Sequence, residues 1–236
     1  MEKSFQFHGE ARTDSALYPW ILGSITRSLF YFGEAVTCRT NKGASAICAY
    51  YSLFHLGLFL MFGCPRHLNK KERKRINKGL RDGTADPNPE IRHSDLVAFL
   101  RRAVAEQGLP DRVLSAVERA KEVRETINYG PRVLSHSGGQ ITVENCTFKP
   151  DAVDAILTGI PGVYDKAVPW ACRNGERDGE FDGAWIAIAL SQADAFFIGP
   201  ASLYGEWCSV ETAQVAEQMR QSLAKAANQI AFGRVQ

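Results

Sequence analysis

The sequence predicts a mainly helical protein: an antiparallel bundle of four to five helices, with one short β-hairpin set into it and a C-terminal extension behind it. Three observations predict this. Apolar residues recur at three- and four-residue steps in successive segments, which places them on one face of a helix. Short clusters of Gly, Pro and Asn separate those segments and stop each helix. Strand-like patterning is confined to a brief stretch after Gly130-Pro131.

The elements follow in order. Asp14 or Ser15 can cap a first helix running toward Cys38, with Ile21, Leu22, Ile25, Leu29 and Phe32 on its inner face. Pro19 falls early in it, where a helix tolerates proline. Asn41-Lys42-Gly43 reads as a turn, and a second helix runs from Ala44 to about Phe62, ending at Gly63-Cys64-Pro65. From Arg66 to Arg81 eight cations stand against a single acid, Glu72, and an irregular loop follows through Pro87-Asn88-Pro89. Ser94 can cap a third helix that carries Leu96, Leu100 and Ala103 inward and closes at Gly108 and Pro110. Asp111 opens a fourth. Residues 132–136 and 140–143, around Ser137-Gly138-Gly139, predict the hairpin. Pro150 and Asp151 start a fifth helix that is expected to end near Gly159-Ile160-Pro161. A polar, glycine-rich loop at 173–183 separates the bundle, residues 14–172, from an extension, residues 173–236. The extension holds the apolar run Ala184 to Leu190, a short Phe196-Phe197-Ile198 run, Trp185, Trp207-Cys208 and a final helix from Ser209 to Ala231. The tryptophans either pack in the core or form a partner-binding surface.

Composition narrows the function classes. With 45% hydrophobic residues the chain can bury a core without disulfides. Six scattered cysteines include no CxxC pair, so a structural zinc site is not expected and free thiols in a reducing compartment are. The formal charge of +2 argues for no polyanion partner by itself, so only local patches can. Met1 to Gly9 has no apolar signal-peptide core. Ala44 to Gly63 is the most apolar stretch, but Tyr50, Tyr51, Ser52 and His55 would lie deep in hydrocarbon, so it reads as a core helix. The expectation is a cytoplasmic protein with no membrane span, no cofactor and no metal. No Gly-rich phosphate loop, HExxH motif or GxSxG elbow is present.

One position stands out by periodicity alone. Val113, Val117, Ala120, Arg124 and Ile127 step by four, three, four and three, so Arg124 lies on the apolar seam of its helix. A cation there is costly unless something partners it. Tyr51 and His55, four apart, share a helix face. They either line a polar pocket with Arg124 and Tyr129 or lock two helices by hydrogen bonds. Arg92 and His93 precede a helix start, where an anion is favoured; capping plus surface charge is the other reading. The basic run, including Lys70, Lys71, Arg73, Lys74 and Arg75, either follows a nucleic-acid backbone or is a solvated face. No aromatics interleave it, so it offers no stacking platform for single-stranded bases.

Three motifs carry a family resemblance. Ala49-Tyr50-Tyr51-Ser52-Leu53-Phe54-His55 resembles the Ala-Tyr-Tyr-x-x-Phe-His signature in the second helix of one prokaryotic branch of the HEPN (higher eukaryote and prokaryote nucleotide-binding) family. Arg124-Glu125-Thr126-Ile127-Asn128-Tyr129-Gly130 resembles that branch's Arg-x-x-Ala-Asp-Tyr-Gly ending of a later helix, and His93-Ser94 falls where the branch carries His-Ser before its third helix. The matches come in the family's order and cover about residues 15 to 170. The hairpin then looks like an insertion.

The resemblance implies a HEPN-like bundle working as a homodimer in a prokaryotic toxin–antitoxin, stress or defence module. Such a protein associates with RNA or nucleotides, in some members as a metal-independent ribonuclease. It also implies the alternative of a non-catalytic module that partners a nucleotidyltransferase or another effector. In the ribonuclease branch an Arg is followed, after four to six residues, by His. The Arg would stabilise charge on the scissile phosphate and the His would move a proton. Here the position after Arg124-x4 is Tyr129, whose ordinary pKa of about 10 makes it a poor base at neutral pH. Arg132 and His136 have three residues between them, one short of the pattern, and lie in the expected hairpin. Arg124, Tyr129 and His55 are therefore the candidate catalytic residues. Tyr51, Arg92, His93 and the five named cations of the basic run are the candidate nucleic-acid or nucleotide contacts.

Overall fold

The computed structural model describes residues 17–81, 91–129, 133–137, 140–143, 149–177, 180–181, 183–193 and 209–232. Asp14 and Ser15, the loop at 82–89, Arg132, the Phe196-Phe197-Ile198 run and Trp207-Cys208 lie outside those residues. Within them the protein is a helical bundle, with eight α-helices where the sequence predicted four to five and a terminal one.

Helices α1 (Tyr18–Thr37) and α2 (Lys42–Gly63) form the central antiparallel pair. The predicted inner face of α1 is the observed one: Ile21, Leu22, Ile25, Leu29 and Phe32 are all buried. The turn before α2 lies at 38–41 and not at the expected 41–43, closed by the Asn41 N–H donating to the Cys38 carbonyl at 2.8 Å. Asn41 is the N-cap, its Oδ1 accepting from the Ala44 N–H at 3.2 Å, so the helix is already under way at Lys42. Helices α1, α4, α5 and α6 surround α2, which is why it is apolar on nearly every face. Among the described residues it is the one helix long and apolar enough to cross a membrane. In this bundle 83% of that apolar window is buried.

After a short 3-10 turn, Pro65–His67, the basic run forms α3 (Lys70–Arg81). Its start is a reciprocal cap. The Glu72 N–H donates to Asn69 Oδ1 at 2.9 Å and the Asn69 N–H donates to Glu72 Oε2 at 2.8 Å. Helix α4 (His93–Gln107) is not capped by Ser94. Arg92 is the N-cap residue, and the Asp95 carboxylate accepts from its backbone N–H at 3.1 Å, satisfying a donor that a hydroxyl at 94 would miss. Gly108, at φ 68, ends α4, and α5 (Asp111–Tyr129) follows.

Strands β1 (Val133–Ser137) and β2 (Gln140–Val143) pair antiparallel. Helix α6 (Pro150–Asn174) runs 25 residues, past the expected stop at Pro161 and past Pro169. Each proline removes a backbone donor and costs about 3 kcal/mol in a helix interior. The apolar face explains why the helix continues. Val153, Ile156, Ile160, Val163, Tyr164, Ala167, Val168 and Ala171 keep the three- and four-residue steps across both prolines and are all buried. Each large side chain so buried contributes about 1.5–3 kcal/mol. The expected loop at 173–183 therefore begins inside α6 and holds a two-residue ladder, β3 (Glu176–Arg177) with β4 (Glu180–Phe181).

Helices α7 (Gly183–Gln192) and α8 (Val210–Phe232) pack on α1 and α6, and their Trp185, Ile186, Leu190 and Leu223 belong to the same apolar core. Two close approaches depend on glycine. A Cβ on Gly183 would stand 2.2 Å from the Cys172 carbonyl oxygen, and one on Gly33 would stand 2.5 Å from that of Thr212. Arg220 of α8, bidentate to Glu217 at 2.6 Å, donates through Nη1 to the Leu190 carbonyl at 3.2 Å, satisfying an end of α7.

Candidate functional site

Four helices converge on a cluster of rings around one arginine. On α2, Tyr50 and Phe54 form one row and Tyr51 and His55 the next, because residues four apart share a face. Tyr50, Phe54 and His55 are buried and Tyr51 is half-buried. From α1, Tyr31 stands 5.4 Å from the Tyr51 ring and stacks on His55 at 5.6 Å, the two planes 3° apart. From α4, His93 packs 4.6 Å from Phe54 and 5.5 Å from Tyr50, and its Nδ1 is hydrogen-bonded to the Tyr50 hydroxyl.

Arg124 enters from α5. Its guanidinium carbon lies 5.1 Å from the centre of the Tyr50 ring and 5.8 Å from that of Tyr51. The cation expected on the apolar seam is thus stacked on the aromatic pair of α2. Its Nε is buried with no hydrogen-bond partner, and among the described residues no carboxylate pairs with it. Two ring faces offset part of the desolvation of a guanidinium, about 0.5–2 kcal/mol each, and leave its charge and its Nε–H without a polar partner among the described residues.

The local electrostatics follow. Burial pushes the Tyr50 phenol well above its usual range, against the pull of Arg124, so it stays protonated. Burial lowers His93 below 6.5, and Arg124 and Lys121 lower it further against the opposing pull of Glu125. At neutral pH His93 is neutral. The Tyr50 hydroxyl and His93 Nδ1 share one hydrogen bond, whose donor is set by the tautomer of the ring.

The other expected contacts divide. Lys70, Lys71, Arg73 and Lys74 are exposed on α3 and Arg92 is exposed at the α4 N-cap. Glu72, the one acid of the basic run, is buried and held by Arg102 Nη2 at 2.6 and 2.7 Å, so it does not neutralise the outer face. Arg75 is committed to Asp95, with Lys71 Nζ 3.5 Å from the same carboxylate. Arg73 donates to the Leu68 and Arg66 carbonyls at 3.0 and 2.9 Å. Among the described residues of the basic run, Lys70 and Lys74 have no ion pair or hydrogen bond to another side chain. Tyr129 ends α5, and its side chain lies outside what is described, as does that of His136. Among the described residues no group of three or more His, Cys, Asp or Glu converges on a point. Cys38 and Cys48 are half-buried thiols, Cys64 and Cys172 buried ones, and burial pushes Cys48 and Cys172 up to about 12.

The sequence brought Arg124, Tyr51 and His55 forward. It did not bring forward Tyr31, Tyr50 or Phe54, which complete the cluster. Tyr50 and Phe54 stood within the motif on α2, but nothing in the sequence said that His93 reaches Tyr50, 43 residues away. Tyr31 carried no local signal at all. Comparison with family models, with curated proteins and with solved structures finds no match for this chain.

Proposed function

We propose that this chain is a HEPN-like bundle that holds a phosphate of RNA or of a nucleotide at Arg124, as a component of a prokaryotic toxin–antitoxin, stress or defence module. In this reading the β1–β2 ladder is an insertion into the bundle and the working unit is a homodimer. The observation that supports it best is the half-buried guanidinium with aromatic faces beneath it and no carboxylate paired with it among the described residues, the neighbouring Glu125 being 3.6 Å from Lys121. Such a cation gains most from an incoming anion, and phosphate matches its planar fork. The exposed lysines of α3 would add a salt-dependent, sequence-independent attraction.

The test is incubation of the purified protein with total RNA, with and without a chelator, beside Arg124→Ala. Association with RNA or nucleotide should be lost in the variant. Any cleavage should be indifferent to the chelator and should also be lost. Wild-type association in Arg124→Ala would remove the assignment.

A second reading has a specific observation in its favour. The position where the ribonuclease branch carries His is Tyr129, which supports a non-catalytic module that docks a nucleotidyltransferase or another effector. Under that reading RNA stays intact, and a defined partner protein co-purifies at fixed stoichiometry. Robust cleavage by the chain alone would count against it.

A further inference from the structure

Building on the reading of Arg124 as a phosphate site, we infer that Arg124 and His93 hold the same phosphate group, that Tyr50 is the positioning residue joining them, and that the pair binds phosphate without cleaving beside it.

Tyr50 is the shared element. The guanidinium lies over its face at 5.1 Å, and its hydroxyl bonds to His93 Nδ1. Tyr50 is 1% exposed, so that hydroxyl needs a protein partner, and His93 supplies it. Phe54, 4.6 Å from the imidazole, braces the same ring. In this assignment Tyr50 is the donor to Nδ1, which places the single proton of the neutral imidazole on Nε2. In that tautomer His93 is an N–H donor at the first turn of α4, where the helix dipole favours an anion, and it shares Tyr50 with a guanidinium that no carboxylate among the described residues pairs.

The same bond limits the chemistry. A base for the 2′-hydroxyl of RNA needs an open nitrogen lone pair. In the assigned tautomer the Nδ1 lone pair of His93 accepts from Tyr50 and Nε2 carries the proton. The Tyr50 phenol is held protonated. As assembled, the pair has two kinds of donor and no acceptor for a substrate proton, which suits recognition of a phosphate mono- or diester.

The experiment uses the full chain labelled with 15N. Long-range proton–nitrogen spectra of the imidazoles report the His93 tautomer, and titrations with inorganic phosphate, with uridine monophosphate and with octauridylate report binding. We expect the Nε2–H tautomer in the free protein. All three probes should move the Arg124 Nε–H and His93 Nε2–H signals with one midpoint each. Tighter binding of octauridylate assigns the phosphate to a polynucleotide; equal binding of the last two probes assigns it to a nucleotide. Tyr50→Phe keeps the ring and its packing but loses the hydroxyl, so the tautomers should mix and affinity should fall about tenfold, the scale of one charge-assisted hydrogen bond. His93→Gln, which places an amide N–H near the former Nε2, should retain affinity within about threefold, and His93→Ala should lose about tenfold. An Nδ1–H tautomer in the wild type, or Tyr50→Phe with tautomer and affinity unchanged, overturns the inference. So does octauridylate cleavage that vanishes in His93→Ala. Movement of Arg124 alone overturns the pairing and leaves the Arg124 reading standing; movement of neither signal removes both.

Discussion

At the scale of single residues, the hydroxyls of Ser28, Ser52 and Tyr164 meet in the buried space between α1, α2 and α6. Ser28 Oγ donates to the Ser52 carbonyl at 2.7 Å, the Tyr164 hydroxyl is 2.6 Å from Ser28 Oγ, and Ser52 Oγ is 3.1 Å from the Tyr164 oxygen. Burial pushes the Tyr164 phenol up to about 12, so it serves as a neutral bridge. Tyr164→Phe leaves Ser28 and Ser52 short of a partner and should destabilise the fold by about 1–2 kcal/mol, read from urea denaturation. His93 makes a second prediction at this scale. Its folded pKa lies below the ordinary 6.5, depressed by burial and by Arg124 and Lys121. On acidification the unfolded chain takes up that proton first. The stability tied to the neutral ring is therefore complete above about pH 6.5 and lost as pH falls from there toward the folded value. Melting temperatures between pH 5 and 8 should decline less on the acid side in His93→Gln, which cannot titrate. Arg124 itself was legible, because a cation on the otherwise apolar seam of Val113, Val117, Ala120 and Ile127 breaks its own pattern. Its support was not, because the rings beneath it come from α2 and no local spacing links the two helices.

At the scale of elements, α3 shows how a run of cations can be a folded helix. The buried Glu72 caps its start and binds Arg102 of α4, and Arg75 reaches Asp95. Removing one partner of a buried pair leaves the other uncompensated. Because Arg102 keeps 30% of its side-chain exposure, the loss in Glu72→Gln is set at about 2 kcal/mol, below the range for fully buried pairs. It should appear first as faster amide exchange in α3, and unchanged α3 protection would refute it. Helix α6 argues the converse. Local signals stop it at Pro161, but the buried face continues, and burial outweighs the missing hydrogen bond. Pro161→Ala restores the N–H donor to the Leu157 carbonyl and should raise stability by about 1 kcal/mol or more, visible in the denaturation midpoint.

At the scale of the whole molecule, α7 and α8 share the apolar core of α1 and α6. The contact is tight where α8 meets α1. Thr212 Oγ1 donates to Glu34 Oε1 at 2.9 Å, and Gly33 leaves no room for a side chain against the Thr212 carbonyl. Leu223 is 1% exposed. Leu223→Ala should cost about 2–4 kcal/mol. Tryptophan fluorescence and circular dichroism should still report one coincident transition. A separate early transition confined to the C-terminal helices would show that they fold independently of the bundle.

Local chemistry is what the sequence determined by itself: the helical class, the inner faces of α1, α4 and α5, most of the helix starts and stops, and the odd position of Arg124. These depend on residues within one or two turns of each other, which periodicity and capping report. Tertiary structure alone decided the path of α6 through its prolines, the burial of the single acid of α3, and the meeting of Tyr31, Tyr50, His93 and Arg124. Each of those outcomes is a balance between a local penalty and packing against a helix distant in the chain, and the second term is set only when the helices come together.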